Sequence, residues 1–300
     1  MATSCFSFVS FYEKYHIKTF KSCNLSSQTI KIDSETIIHL WKPNSKPTNK
    51  PSLILIHGFG ANSLWQWRYQ VEALSTHFSL YIPDLLFFGK STTTSSDRTE
   101  IFQADCLVKV MECLGVEKYS IIGTSYGGFV GYRMASLWPN RVQKIVIASS
   151  AVNMRLKDNE DLIEKSGVDK IEDLMIPVRA TDLRTLLSFA VHKRLQFFPD
   201  FLLNDMINSL FIENREEKKQ LLYGLTLGRK NSVDISRLQQ EVLIAWGEHD
   251  NLFPLEKAYE LKELLGEKVS LEVIKKTSHT PQIENPKLFN DIVMTFLLSL

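Results

Sequence analysis

The hexapeptide Gly123-Thr124-Ser125-Tyr126-Gly127-Gly128 constrains this chain more than any other feature. The segment before it, Tyr119–Ile122, reads as a buried strand, and Phe129–Leu137 after it carries an amphipathic helical pattern. A strand that passes into a helix through so short a turn leaves no room for bulk at the flanking positions, hence glycine. The serine between them is then held in a strained conformation with its hydroxyl presented outward. The helix beginning just after it aims backbone N–H groups and a positive dipole end at any oxyanion forming nearby. Ser125 is therefore the predicted nucleophile.

The rest of the chain supplies the sheet that such a turn requires. Thr29–Ile32 and Thr36–Trp41 read as a hairpin, and Asn44–Pro51 as a proline-rich loop. Short apolar runs at Leu53–Ile56, Leu80–Ile82, Ile145–Ala148, Val242–Trp246 and Val269–Ile274 alternate with helix-length stretches. With the strand before Gly123 they predict an α/β fold with a mostly parallel, eight-stranded sheet flanked by helices. Asn285-Pro286 predicts the start of the last helix, with Asn as cap. Between about Val152 and Arg237 no strand is legible, only helical patterning broken by Pro177 and Pro199. The expected organisation is an N-terminal helical segment (1–23), a sheet core (24–150 and 238–300) and a helical cap inserted at 151–237. Large apolar groups of the cap, Phe189, Phe197 and Phe198 among them, are candidates for the wall of a substrate pocket. The phenylalanine-rich start reads either as a helix packed on the domain or as a membrane-surface contact.

Composition narrows the function. Lys plus Arg number 35 against 34 for Asp plus Glu, so a net charge of +1 offers no electrostatic case for nucleic acid or an anionic membrane as partner. No apolar run reaches the ~18 residues of a membrane span. Cys5, Cys23, Cys106 and Cys113 show no metal-binding spacing and read as reduced thiols, and no metal is expected. The start lacks the cationic region of a secretory signal, so a cytoplasmic location is expected. Its early serines, with no acid before Glu13, leave a plastid as the alternative.

A serine hydroxyl needs a base. Of seven histidines, His279 alone lies in a loop directly after the last predicted strand, at the sheet edge that also carries Ser125. His16, His39, His77 and His192 fall where structural or surface roles are expected. The acid that orients the base should also follow a strand: Asp250, after Val242–Trp246, fits, with Glu248 as the neighbouring competitor and His249 as a distractor. The order Ser125, Asp250, His279 is the order of an α/β-hydrolase triad. A loop after Leu53–Ile56, His57-Gly58-Phe59-Gly60, can turn the N–H of Phe59 toward substrate, with the N–H of Tyr126 as second oxyanion donor. His57 is expected to brace that loop.

In these residues the chain resembles the α/β-hydrolase superfamily, and within it the capped branch that includes plant esterases and monoacylglycerol-lipase-like enzymes. The likeness runs from about Leu25 to Leu300. It rests on HGFG at His57–Gly60, Trp65-Gln66-Trp67, GTSYGG, WGEHD at Trp246–Asp250 and SHTPQIENP at Ser278–Pro286. It implies a cofactor-independent serine hydrolase acting on an ester of a hydrophobic small molecule or on a monoacylglycerol. The same triad in similar folds also serves C–C bond hydrolysis, transacylation, elimination and cyclisation, and the fold has been used for ligand receptors without turnover. Two departures stand out. Relatives that form alkyl-enzyme esters carry aspartate where Ser125 stands. Where the family often has DLxGFGxS, this chain has Asp84-Leu85-Leu86-Phe87-Phe88-Gly89-Lys90-Ser91, with Phe87 in place of the glycine that would relieve the turn. Gly89-Lys90-Ser91 is no phosphate loop, since Asp84 stands where a Walker A glycine belongs.

Overall fold

Successive residues of a strand face opposite sides, so a strand apolar at every position can be buried only between two layers. The central strands here divide in that way. Ile54, Ile56, Ile145, Ile147, Ile244 and Trp246 enter one core, whereas Leu53, Leu55, Val146, Ala148, Leu243 and Ala245 enter the other. The computed structural model describes residues 7–44, 50–192, 198–230 and 235–299.

The strands are β1 (Leu25–Lys31), β2 (Thr36–Pro43), β3 (Ser52–Ile56), β4 (Ser79–Pro83), β5 (Thr92–Thr93), β6 (Tyr119–Thr124), β7 (Val142–Ala148), β8 (Glu241–Gly247) and β9 (Val269–Ile274). Eight of them form the order β1-β2-β4-β3-β6-β7-β8-β9. The ninth, two-residue β5, pairs antiparallel with β2 and is one more than the sequence predicts. The hairpin strands β1 and β2 are antiparallel, β2 also runs antiparallel to β4, and the run β4-β3-β6-β7-β8-β9 is parallel throughout.

Five helices precede or interleave the first strands: α1 (Phe8–Ser22), α2 (Ser63–Trp67), α3 (Val71–Ser75), α4 (Glu100–Cys113) and α5 (Tyr126–Leu137). Between β7 and β8 come α6 (Leu156–Ser166), α7 (Ile171–Met175), α8 (Ala180–Ala190), α9 (Asp200–Leu210) and α10 (Arg215–Gly224), whose apolar faces form a third cluster of their own. The chain closes with α11 (Glu256–Leu265), α12 (Pro281–Glu284) and α13 (Pro286–Leu298). Asn285 caps α13, its side chain accepting from the Leu288 amide, with Pro286 in the first turn. Phe20 of α1 packs edge-on against Trp41 at 5.1 Å and joins the core under α3 and α13. Among the described residues no helix is long and apolar enough to cross a membrane. Cys23, Cys106 and Cys113 are free thiols, and Cys5 lies outside the described residues.

The site follows from this order. Strand connections reverse direction across the sheet between β3 and β6, the place where an open parallel sheet leaves a crevice at its carboxyl edge. Ile56 and Gly123 are paired there, so the loops carrying Phe59 and Ser125 leave the sheet side by side.

Candidate active site

Ser125 has φ 51° and ψ −123°, a left-handed conformation that costs a non-glycine residue about 1–3 kcal/mol. Its N–H donates to the Ala148 carbonyl at 2.9 Å, and its own carbonyl accepts from Ser150 Oγ at 2.6 Å. The end of β7 thus clamps both sides of the turn. A Cβ on Gly127 would lie 2.3 Å from the Ile56 carbonyl oxygen, which is why α5 can start so close to β3 only with glycine there.

His279 and Asp250 arrive from the ends of β9 and β8. Ser125 Oγ–H donates to His279 Nε2 at 2.9 Å, and His279 Nδ1–H donates to Asp250 Oδ2 at 2.9 Å. The other carboxylate oxygen of Asp250 accepts the Leu252 and Phe253 amides at 3.0 and 2.9 Å. Those two donors fix the carboxylate's orientation in a buried place, where an unpaired charge would be costly. The structure therefore brings all three predicted residues into one hydrogen-bonded line. Glu248 lies outside it, accepting the Lys276 amide and pairing with His249.

The Phe59 loop approaches Ser125 as closely as a main chain can. A Cβ on Gly58 would stand 2.9 Å from Ser125 Cβ. The Gly58 amide is held by Gln66 Oε1 at 2.8 Å, and among the described residues the amides of Phe59 and Tyr126 have no acceptor in the protein. Two free donors beside the half-buried serine hydroxyl are the arrangement that stabilises a tetrahedral oxyanion.

Two other histidines, His57 and His39, brace the fold. His57 is fully buried, accepts the Leu85 amide at Nε2 (2.9 Å) and donates from Nδ1 to the Gly58 carbonyl (2.8 Å). Burial pulls its pKa down against the opposing charge of Asp84, so it stays neutral in the bracing role expected for it. His39 donates to Asp84 Oδ2 at 2.7 Å, while Asp84 Oδ1 accepts from the Ser63 amide and hydroxyl. Burial would raise the Asp84 carboxyl, but these bonds and the adjacent imidazoles hold it below its ordinary value. This carboxylate ties β2, α2 and the turn after β4 together. Within that turn Phe87 has φ 70°: the side chain that replaces a glycine takes the glycine's conformation.

Two cavities meet at Ser125. One, of about 290 Å³, is lined near the serine by Tyr126, Phe129 and Phe253, and farther out by Leu225 and Leu227. The other, of about 430 Å³, runs past Gly60 and Gln66 along Leu183, Leu186 and Leu187 of α8. The phenylalanines expected in the wall are placed otherwise. Phe189 lies two residues beyond Leu187, about 200° round the helix, and lines neither cavity. Its carbonyl accepts from Ser278 Oγ at 2.9 Å. Phe198 is 40% exposed and also lines neither. Phe197 lies outside the described residues. Aliphatic residues of α8 at helical spacing, with Met175 and Phe211, do the lining instead.

The sequence between residues 51 and 286 matches the family model of the α/β-hydrolase fold. The chain belongs to that family. It is 26% identical to pyrrolizixenacetamide deacetylase of Xenorhabdus hominickii over 83% of this chain and 91% of that one. It is 24% identical to monoacylglycerol lipase ABHD6 of Mus musculus over 85% and 77% of the two chains. Among solved structures, the 2-hydroxy-6-oxo-6-phenylhexa-2,4-dienoate hydrolase of Rhodococcus sp. strain RHA1 aligns with a TM-score of 0.74 at 20% identity, covering 92% of this chain and 99% of that one. Membership of the α/β-hydrolase family, with relatives of these kinds, supports hydrolytic activity.

Two positioning groups were not legible in the sequence. Ser150 is one. The other is Glu284, whose Oε1 accepts the Ser278 amide and whose Oε2 accepts the His192 amide, both at 2.7 Å. It links the loop of His279 to the end of α8.

Proposed function

We propose that this chain is a serine hydrolase cleaving carboxylic esters of hydrophobic small molecules through an acyl-enzyme. The observation that carries the reading is the pair of 2.9 Å hydrogen bonds joining Asp250, His279 and Ser125 where two apolar cavities meet. Monoacylglycerols fall within the class by their acyl chain.

In this mechanism His279 Nε2 takes the Ser125 proton as Oγ attacks the ester carbonyl. Asp250 holds the Nδ1–H tautomer and stabilises the imidazolium without itself becoming protonated. The carbonyl oxygen, now anionic, accepts from the Phe59 and Tyr126 amides, each such donor being worth about 3–4 kcal/mol in the transition state. His279 returns the proton to the departing alkoxide, leaving the acyl group on Ser125. Water then attacks by the same route, releasing the acid. No metal or organic cofactor takes part in these steps.

The test is hydrolysis of p-nitrophenyl esters from acetate to laurate by the wild type and by Ser125→Ala, with the products identified. Turnover to acid and alcohol that disappears in the variant supports the reading. Activity retained by Ser125→Ala would overturn it, as would saturable ligand binding without turnover of any ester.

A further inference from the structure

The Gly58 carbonyl and the Phe59 N–H belong to one peptide unit, and in a trans peptide they point in opposite directions. No peptide bond among the described residues is cis. Whatever holds the Gly58 oxygen therefore also aims the Phe59 donor. Two groups hold it, His57 Nδ1 at 2.8 Å and Gln66 Nε2 at 3.0 Å. Donors on that oxygen also polarise the peptide and strengthen the N–H at its other end.

The loop needs holding from outside. A Cβ at position 58 would stand 2.9 Å from Ser125 Cβ and 3.0 Å from the Thr124 carbonyl oxygen, so the close approach to the nucleophile requires glycine. Gly60, on the other side of Phe59, has φ 109°, which also favours glycine. Phe59 thus stands between two residues with little conformational preference of their own, and its peptide turns easily unless clamped. Gln66 clamps it with one side chain. Oε1 accepts the Gly58 amide at 2.8 Å, while Nε2 donates to the Gly58 carbonyl and, at 3.4 Å, to the Ala61 carbonyl. These partners fix the amide's orientation, since only its oxygen can face an N–H and only its nitrogen can face carbonyls. Gln66 is itself held. It is buried on α2 beside the fully buried Trp67, and Asp84 ties the first turn of that helix through the Ser63 amide at 3.0 Å and hydroxyl at 2.6 Å.

We infer that Gln66 is a positioning residue of the oxyanion hole: without its amide the Gly58–Phe59 peptide turns, and the Phe59 N–H no longer meets the oxyanion. The inference rests on the serine-hydrolase reading and deepens it. Gln66 acts through Phe59, so its effect falls on the transition state and leaves ground-state binding nearly unchanged.

The experiment measures kcat and KM for p-nitrophenyl butyrate, and Ki for propyl trifluoromethyl ketone, in the wild type, Gln66→Leu and Gln66→Glu. The ketone mimics the transition state. Ser125 Oγ bonds its carbonyl carbon, the π pair becomes an oxyanion facing the Phe59 and Tyr126 amides, and the Ser125 proton passes to His279 Nε2. Gln66→Leu is expected to lower kcat about 10²-fold with KM within about threefold of wild type, and to weaken the ketone by about the factor lost in kcat/KM.

Gln66→Glu keeps both bonds to Gly58 only while its carboxyl is protonated. Ionised, it turns a charged oxygen toward the Gly58 and Ala61 carbonyls, so those carbonyls and burial favour the acid form. Of the charged groups around it, Asp84 and Glu284 add to that preference and Arg68 opposes it, while His57 is neutral and His279 titrates in wild type and variant alike. The kcat of Gln66→Glu is expected to approach wild type at about pH 6 and to fall behind it at least about tenfold toward pH 9.

A loss of kcat in Gln66→Leu with the affinity for the ketone unchanged overturns the inference, as does a loss confined to KM. So does a ratio of wild type to Gln66→Glu that stays constant over that pH range, a result that stands even where Gln66→Leu does not fold. In each of these cases the wild type still hydrolyses the ester through Ser125. A wild type that neither turns over the ester nor binds the ketone overturns the serine-hydrolase reading and this inference together.

Discussion

Ser150 Oγ donates a 2.6 Å hydrogen bond to the carbonyl oxygen of Ser125. Ser150 is fully buried, and its side chain holds a main chain that would relax from φ 51° if released. Replacing it removes one donor from that carbonyl, which keeps the Gly128 amide at 2.8 Å, at a cost of about 1 kcal/mol. Ser150→Ala is expected to lower ester kcat/KM about tenfold and stability by about 1–2 kcal/mol, with the fold intact by circular dichroism. Unchanged kinetics would mean that the Ala148 carbonyl suffices to hold the turn.

Glu284 acts on the other partner. It holds the amide directly before His279, so its loss is expected to move the imidazole rather than remove any reacting group. A displacement of about 1 Å costs on the order of 10²-fold in rate. Glu284→Ala should therefore reduce kcat by about that factor with KM little changed, and Glu284→Gln, which retains an acceptor oxygen, should recover part of it.

The buried imidazole of His16 makes stability pH-dependent. It lies among Tyr12, Tyr15 and Tyr69, and neither ring nitrogen has a hydrogen-bond partner among the described residues. Burial, and then the charge of Arg68, lower its pKa from 6.5 to about 4. Between those values the unfolded chain binds a proton that the folded chain does not. The contribution is fully present above about pH 6.5 and is lost as pH falls toward 4, amounting to about 2 kcal/mol by pH 5. His16→Phe should flatten this acid limb in urea titrations at pH 7 and pH 5. An equal drop in both proteins would assign the acid sensitivity elsewhere.

At Phe87 two effects oppose one another. The left-handed conformation costs about 1–2 kcal/mol, but the ring is buried and carries the Arg98 guanidinium 4.5 Å above it. Removing a buried phenylalanine side chain costs about 3–5 kcal/mol. Packing wins, so Phe87→Gly is expected to destabilise by about 2–3 kcal/mol in a denaturant titration, although it relieves the turn. A stabilised variant would show that the strain dominates.

These sites also mark what a sequence can reveal. Ser125, Asp250 and His279 were legible because each sits in a short motif directly after an apolar run, and the carboxyl ends of parallel strands share one rim. The sheet was legible from the same runs, apart from two-residue β5, which is too short to carry a pattern. Ser150 and Glu284 were not, since a serine after a strand and a glutamate in a short helix acquire meaning only from partners 25 and 92 residues away. Phe189 misled because apolar content says that a helix has a buried face but not which cluster each residue enters. Leu183, Leu186, Leu187 and Ala190, at spacings of three and four, were the lining face of α8.

The central claim is that Ser125 is a nucleophile activated by His279. Its most direct test is the rate and position of labelling by a fluorophosphonate, mapped by peptide mass in the wild type and in His279→Ala. The account predicts one adduct, on the peptide containing Ser125, formed at least about 10³-fold more slowly in the variant. An adduct on another residue, or equal labelling rates in the two proteins, would contradict it.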